Sequence, residues 1–173
     1  KRQSKAEKAI AQGLKPLAIF IQKNSSSKEI EGRASSFVKG EVEDSKKALA
    51  GAVSILAEWI AEDRRVRSVL RNRFQRFAIA SSKVKKGKEE LGVKYSHYFD
   101  YSEKVQRMAS HRILALFRAE KEGVINFSLD MDESEAIGLI RQKIKQNYRE
   151  SSFLEKAVKE AYKRVLKPSF ESE

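Results

Sequence analysis

The chain has no cysteine, two prolines and two histidines among its 173 residues. The absence of cysteine excludes disulfides, zinc ribbons and thiol catalysis, and it agrees with a reducing compartment. No run of about 18 apolar residues occurs, and the N-terminus carries no apolar signal segment. We therefore expect a cytoplasmic protein with no membrane partner.

Side chains suited to catalysis or metal binding are also scarce. Only His97 and His111 could act as imidazole bases or ligands, and neither lies in a metal-binding pattern. The pair Gly87-Lys88 lacks the upstream glycine and the following hydroxyl residue of a phosphate-binding loop. We therefore expect no enzymatic activity, no metal and no cofactor.

Positive charge, by contrast, is abundant and concentrated. The formal net charge is +12, from 36 basic and 24 acidic residues. The stretch 64–94 holds eleven Lys and Arg residues against only Glu89 and Glu90, which is 11 minus 2, or +9. An imbalance this concentrated indicates a surface that meets a polyanion, and nucleic acid is the commonest one in the cytosol.

Apolar residues recur at helical spacing through most of the chain and predict a mainly α, multi-helix scaffold. Segment 28–38 gives the weakest helical pattern, and a loosely packed loop is its alternative. Capping signals place the start of one helix near Pro16, and the others at about 5–12, 28–38, 44–62, 64–80, 110–122, 133–148 and 153–167.

Two of these helices bear on function through the side chains they are expected to bury. For helix 110–122, with Ser110 as its cap, the expected buried residues are Ile113, Leu114 and Phe117. For helix 64–80 they are Val66, Val69, Leu70, Phe74 and Phe77. The arginines of helix 64–80 lie largely off this stripe, so one face should pack while the other is basic.

Strand signals are confined to the middle of the chain. Residues 124–129 alternate apolar and polar side chains and give the best strand candidate. The aromatic segment 94–101 has strand propensity and is its only local partner. We expect a small two-stranded β element from these segments. The helical period breaks at 81–101, where we place a sub-boundary within the helical region 1–173.

The run Ser82 to Lys88 sets four lysines around Gly87, on a segment expected to be an exposed loop. Such a loop can lay several charges along a phosphate backbone without reading sequence. The alternative is a solvated loop that is basic for solubility. Together with the arginine face before it, the loop gives the predicted nucleic-acid contacts: Arg64, Arg65, Arg67, Arg71, Arg76, Lys83, Lys85, Lys86 and Lys88.

Several long, ordered motifs add to this reading. They are SKVKKGKEE at 82–90, YFDYSE at 98–103, SHR at 110–112 and KEG at 121–123, with flanking matches at 1–6, 13–18 and 167–171. In these motifs the chain resembles the N-terminal region of the bacterial Tex family, known as transcription accessory factors. The resemblance covers nearly the whole chain.

The resemblance implies a helical scaffold related to the core of a eukaryotic elongation factor of the Spt group. In the family this scaffold is joined to a YqgF-like nuclease-fold domain, helix-hairpin-helix elements and a C-terminal OB-fold RNA-binding module. None of those later modules lies in this chain, so we expect a fragment of a longer protein. The family assigns no catalytic residue to this region.

One departure from the family pattern concerns the entry into the helix predicted at 110–122. The family usually has Ile-Pro before Ser-His-Arg, whereas this chain has Met108-Ala109. Without the proline, the backbone before the helix is less restricted.

We therefore expect a non-enzymatic, nucleic-acid-binding scaffold portion of a Tex-like transcription accessory factor, which contacts RNA or DNA phosphates. The alternative is a protein interaction scaffold that docks other domains or the transcription machinery. Exposed aromatic side chains would support the alternative, and the candidates are Tyr95, Tyr98, Phe99 and Tyr101.

Overall fold

A computed structural model describes residues 2–171 and confirms a mainly α chain. Its helices are α1 (Lys5–Ala11), α2 (Lys15–Lys23), α3 (Ser27–Ala34), α4 (Ser45–Glu62), α5 (Arg64–Phe77), α6 (Ser110–Lys121), α7 (Glu133–Ile144), α8 (Ser152–Glu160) and α9 (Lys167–Glu171). Its strands are β1 (Ile79–Val84), β2 (Asp100–Lys104) and β3 (Ile125–Asp130). No helix within residues 2–171 is both long enough and apolar enough to cross a membrane.

The chain divides into two compact units. Unit 1 comprises the residues up to Leu70 and those from Ser134 onward, and unit 2 is Arg71–Glu133. The first boundary falls within α5 and the second at the start of α7.

Local sequence signals set the first helices of unit 1. The Ser4 hydroxyl accepts the Glu7 N–H, and the Glu7 carboxylate accepts the Ser4 N–H, which completes a capping box. Gly13 follows α1 with φ +82, and Pro16 lies in the first turn of α2. The helix predicted at 28–38 is confirmed as α3, which a 3₁₀ turn at Ser35–Phe37 extends.

Helix α4 forms the centre of unit 1. It packs against α1, α2, α3 and α8, and its fully buried side chains include Ile55, Leu56 and Ile60. Each such side chain contributes about 1.5–3 kcal/mol on burial. Gly51 allows a close approach here, because a Cβ at this position would lie 2.4 Å from Leu14 Cδ1.

The C-terminal helical region differs from its prediction in two ways. Its cap is Ser151, whose hydroxyl accepts the Leu154 N–H at 3.1 Å, so the helix begins at Ser152 and not at residue 153. The helix also continues past Pro168, through a π-helical segment (Ala161–Leu166) into α9. Pro168 lies in the first turn of α9, where the wider π turn before it accommodates a residue without an N–H.

Unit 2 contains an antiparallel sheet with β1 in the middle, in the order β2-β1-β3. Ser82 of β1 lies opposite Tyr101 of β2 and Phe127 of β3. The predicted strand at 124–129 is confirmed as β3, but its predicted pairing with the aromatic segment is wrong, because β3 pairs with β1. The sheet has three strands and not two.

Two further boundaries in unit 2 differ from the prediction. The helix expected to run to Ala80 ends at Phe77, because Ile79–Val84 is drawn into the sheet. Val93–Tyr98, expected to be extended, forms a 3₁₀ helix, and only the end of the aromatic segment joins β2.

The core of unit 2 lies between the sheet and α6. Helix α6 presents Leu116 and Ala119 to this core, so the prediction for its buried side is wrong. Leu114 and Phe117, expected inside, are 63% and 42% exposed, and Ile113 is half-buried. The buried cluster consists of Tyr95, Leu116, Ala119, Val124 and Ile125.

The start of α6 also differs from the prediction. Ser110 is the first helical residue and not the cap; Ala109 holds the cap position and has no side chain that could accept a hydrogen bond. Met108 has ψ 132, and Ala109 has φ −73 and ψ 146. This is the backbone that a proline at position 109 would impose, although the chain has none there.

Candidate nucleic-acid interface

The predicted lysine run occupies the end of β1 and the turn that follows it. Lys83 lies in β1, and residues 85–88 form a turn that the Lys88 N–H closes on the Lys85 carbonyl oxygen at 3.0 Å. Gly87 is its third residue, with φ +82, as a type II turn requires. The expected loop is confirmed for 85–88, whereas Ser82 to Val84 belong to the sheet.

Backbone hydrogen bonds hold this turn at both ends. The Lys85 N–H donates to the Val124 carbonyl oxygen at 2.8 Å, and the Gly92 N–H donates to that of Lys88 at 3.0 Å. A Cβ on Gly92 would lie 2.2 Å from Val124 Cγ1, so only glycine fits there. Sequence reasoning missed this positioning role, for which the glycine itself is the only signal.

We call Lys83, Lys85, Lys86 and Lys88 the lysine cluster. Lys85 is half-buried and the other three are exposed. None of the four is ion-paired with another of residues 2–171. The nearby acids are Glu89 and Glu90, both exposed, and Asp100, which lies opposite Lys83 on β2. The cluster therefore keeps its charge available to an external anion.

The predicted arginines of unit 1 have different surroundings. Arg64 is exposed and makes no ion pair within the described part of the chain. Arg65 is ion-paired with Asp63 at 3.1 Å and also donates to the Asn147 side chain at 3.3 Å. Arg67 is half-buried, with NH1 3.5 Å from the Ser169 hydroxyl. Of these three, Arg64 is the one left unengaged.

Asp63 explains why Arg65 is held. Its carboxylate accepts the backbone N–H groups of Arg65 at 2.8 Å and Val66 at 3.3 Å, and so caps α5. Burial raises the pKa of the Asp63 carboxyl, but the hydrogen bonds from the Arg65 side chain and these two N–H groups outweigh it and lower the pKa overall. Arg65 therefore helps to stabilise the start of α5.

The predicted arginines of unit 2, Arg71 and Arg76, are both exposed. Arg76 makes no ion pair within residues 2–171. Phe77, expected in the core, is 47% exposed, and the Arg73 guanidinium lies 4.5 Å from its ring centroid. The end of α5 thus presents cations and an aromatic ring to solvent.

The aromatic side chains of the alternative hypothesis belong to the core of unit 2. Tyr95 is 6% exposed. Tyr98, Phe99 and Tyr101 are partly buried and pack against the core cluster, and Tyr98 meets Tyr101 edge to face at 5.4 Å. The exposed aromatics that would have supported docking through these residues are not found.

The motif residues at 98–103 and 110–112 contact each other. Arg112 NH1 donates to Glu103 Oε2 at 3.1 Å and to the Tyr101 hydroxyl at 3.4 Å, and that hydroxyl donates to Glu103. The hydrogen bonds from Tyr101 and Arg112 lower the pKa of Glu103. These residues therefore join β2 to the start of α6, which is a structural role.

His97 and His111 are both exposed. Among residues 2–171, no three His, Asp or Glu side chains come together in a group that could hold a metal ion.

The fold and the site define a class: a mainly α chain with a small antiparallel sheet whose central strand leads into a rigid, lysine-rich turn. The family described as Tex central region-like matches residues 25–173, and the chain belongs to this family.

Curated relatives agree with this assignment. The chain is 40% identical over 129 residues to "Transcriptional accessory protein Tex" of Neisseria gonorrhoeae, covering 75% of the chain and 17% of the relative. It is 38% identical over 133 residues to "Protein YhgF" of Escherichia coli (strain K12), covering 76% and 17%. It is 28% identical over 178 residues to "Uncharacterized protein YdcI" of Bacillus subtilis (strain 168), covering 100% and 25%. The chain thus spans a quarter or less of the length of these relatives.

Proposed function

We propose that this chain is a non-enzymatic, nucleic-acid-binding part of a transcription accessory protein. It contacts phosphate backbones through the lysine cluster and the exposed arginines of α5, without reading base sequence. The observation that carries the proposal is the lysine cluster itself: four cations on a backbone fixed at both ends, none of them ion-paired within the described residues.

The physical basis is the repulsion among like charges that have no internal partner. Such charges hold counterions and favour a polyanion, and binding a phosphate backbone releases the condensed counterions of the nucleic acid. A lysine ammonium is a point charge with no planar fork, so it suits phosphate oxygens better than the bidentate reading of a base edge. The contacts therefore position a nucleic acid and do not specify its sequence.

The role in transcription rests on the family. One relative carries the words transcriptional accessory protein in its name, and the chain shares its family region. The absence of enzymatic activity rests on the sequence, in which no pair of titratable groups has catalytic spacing.

The test is a titration of labelled single-stranded RNA and duplex DNA with the chain, followed by fluorescence anisotropy at several salt concentrations. If about five phosphates are neutralised, log K should fall with log salt at a slope near −4.5 on duplex DNA, and near −3.5 on a single strand. Replacing the four residues of the lysine cluster by alanine should weaken binding strongly and flatten the slope by about 3.6 on duplex DNA.

The far-UV circular dichroism of the variant must match that of the parent chain, since the substituted side chains make no ion pair within residues 2–171. A nearly flat slope for the parent chain, or equal binding by parent and variant, would contradict the proposal.

A further inference from the structure

Helix α6 exposes two large apolar side chains on the side away from its core contacts. Leu114 is 63% exposed and Phe117 42% exposed, whereas Leu116 and Ala119 are fully buried. At 100° per residue, Leu114 and Phe117 lie 60° apart and Leu116 lies on the opposite side. The helix therefore has a second apolar surface that nothing within residues 2–171 covers to the extent of a core contact.

The position of Phe117 is fixed before any partner arrives. Its ring meets the Phe127 ring of β3 edge to face, with 5.7 Å between the centroids. Phe127 is itself packed against the core cluster of unit 2. A ring held in this way loses little conformational freedom on binding, which lowers the entropic cost of docking.

The charged side chains nearest Leu114 around α6 have one sign. Arg118 and Lys121 are exposed, make no ion pair within the described residues, and lie within 40° of Leu114 around the helix. Of the two carboxylates next to them in sequence, Glu122 already makes an ion pair at 3.4 Å. Glu120 is exposed and lies about 120° from Leu114 around the helix. The apolar pair is therefore flanked by free cations.

Helix stability explains only part of this arrangement. Cations in the last turn of a helix interact favourably with its macrodipole, which accounts for Arg118 and Lys121. It does not account for two large apolar side chains in water, since polar residues of similar helix propensity would serve there equally well. Exposed apolar side chains that lie together are typical of an interaction surface.

We propose that the outward face of α6, defined by Leu114, Phe117, Arg118 and Lys121, docks an acidic amphipathic segment of a protein partner. Apolar side chains of the segment would cover Leu114 and Phe117, and its carboxylates would meet Arg118 and Lys121. The charge complementarity selects an acidic segment, and helical spacing of its apolar residues would match the one-turn separation of the two anchors.

A protein partner fits this surface better than a nucleic acid does. Leu114 is the more exposed of the two apolar residues, and an aliphatic side chain offers no ring on which a base can stack. The surface is also separate in sequence from the lysine cluster, so the two can be tested apart.

The probe is a labelled synthetic peptide with leucine and phenylalanine at helical spacing and Asp or Glu at the other positions. Its control has the same apolar residues, with Lys in place of the acids. Fluorescence anisotropy with the whole chain should show saturable binding of the acidic peptide. The neutral substitution Leu114→Gln should weaken this binding about five- to tenfold, equivalent to about 1–1.4 kcal/mol.

Leu91→Gln is the matched control, because Leu91 is 77% exposed in the same unit but follows Glu89 and Glu90. It should leave peptide binding unchanged, whereas alanine at the four positions of the lysine cluster should remove only the small part that is due to long-range attraction. Replacing Arg118 and Lys121 by Gln should weaken binding and reduce its salt dependence.

Three results would overturn the proposal: no saturable binding of the acidic peptide, equal binding of the basic peptide, or equal loss from Leu114→Gln and Leu91→Gln. Loss of RNA binding by Leu114→Gln, with peptide binding intact, would assign this surface to nucleic acid instead. Because peptide and nucleic acid are measured separately, failure here leaves the proposed phosphate contact of the lysine cluster to its own test.

Discussion

Arg64 and Arg65 are neighbours in sequence with the same side chain, yet their surroundings separate their roles. Arg64 has no ion pair within residues 2–171, while Arg65 is held by Asp63 at 3.1 Å. Arg64→Ala should therefore reduce the salt slope of duplex binding by about 0.9, the value of one phosphate contact. Arg65→Ala should change the slope little, because that guanidinium is already neutralised.

For stability, the larger effect should come from Arg65→Ala and not from Arg64→Ala. Arg65→Ala removes a hydrogen-bonded partner of the residue that caps α5, so urea unfolding should show a loss for it and almost none for Arg64→Ala. Equal salt slopes for the two variants would contradict the assignment of Arg64 as the free phosphate contact.

Two glycines, one in each unit, give a second prediction, on stability. Gly92→Ala would place a Cβ 2.2 Å from Val124 Cγ1 and 3.1 Å from the Lys88 oxygen, and overpacking of this kind costs about 1–3 kcal/mol. Gly138→Ala is the matched control in α7, because no atom lies within 4 Å of its added Cβ. It should stabilise the chain by up to about 1 kcal/mol through helix propensity. Urea denaturation measures both, and an unaffected Gly92→Ala chain would refute the close approach.

Glu103 gives a prediction on pH. The hydrogen bonds from Tyr101 and Arg112 lower its pKa, so its carboxylate stabilises the fold at pH values above the unfolded pKa of about 4.3. That contribution is lost as pH falls through the lower, folded pKa. Glu103→Gln should therefore be less stable than the parent chain at pH 7, and the difference should shrink below about pH 4. A difference that does not change with pH would show that the carboxylate charge is not involved.

At the scale of elements, the helices were predictable and the central strand was not. Capping residues and apolar stripes place α1, α4 and the start of α8 to within a residue, because those signals are local. Strand β1 has the sequence IASSKV, and its core-facing positions include the small residues Ala80 and Ser82. Small residues give no apolar alternation, so the sequence does not reveal the strand.

What makes β1 a strand is its partners. It is paired on both edges, and the buried Ser82 hydroxyl donates to the Tyr98 carbonyl oxygen at 2.7 Å. Non-local pairing of this kind overrides weak local propensity. Helix α6 shows the same limit: its large apolar residues predict one buried side, yet the core takes Leu116 and Ala119. The spacing of apolar residues indicates the apolar sides of a helix, but it does not indicate which side is buried in the fold.

The start of α6 provides the prediction at this scale. Ala109 is exposed, has φ −73 after a residue with ψ 132, and its N–H makes no hydrogen bond within residues 2–171. Proline fits such a position without strain and restricts the unfolded chain. Ala109→Pro should therefore stabilise the chain by about 0.4–1 kcal/mol in urea denaturation. Ala115→Pro, in the interior of α6, is the control and should destabilise the chain by about 3 kcal/mol or more. A destabilised Ala109→Pro chain would contradict this backbone geometry.

Across the whole molecule, the sequence predicted where the charge lies but not which charges are free. The +9 of residues 64–94 follows from counting. The hydrogen bond that Arg65 donates to Asn147 joins residues 82 positions apart, which no local pattern encodes. The division into two units likewise depends on contacts between distant segments. The sequence therefore locates the candidate site, and the structure shows which of its cations are already engaged.

The last prediction separates a local binding surface from the net charge of the molecule. A chain with a net charge of +12 attracts polyanions wherever its charges lie, so weaker binding by the variant without the lysine cluster could follow from its lower charge of 12 minus 4, or +8. A second variant of equal charge replaces four exposed lysines of unit 1 that make no ion pair within the described residues: Lys5, Lys15, Lys28 and Lys46.

If the lysine cluster contacts phosphates directly, the two variants of charge +8 must differ. The duplex salt slope of the cluster variant should be smaller by about 3.6. The unit 1 variant should keep the parent slope. It should lose only the small affinity due to long-range attraction, because 150 mM salt screens charges more than about 8 Å apart. Anisotropy titrations of the three chains on one duplex give both quantities. Equal slopes for the two variants would mean that the chain binds through its total charge, and that the turn at residues 85–88 is only one solvated part of a basic surface.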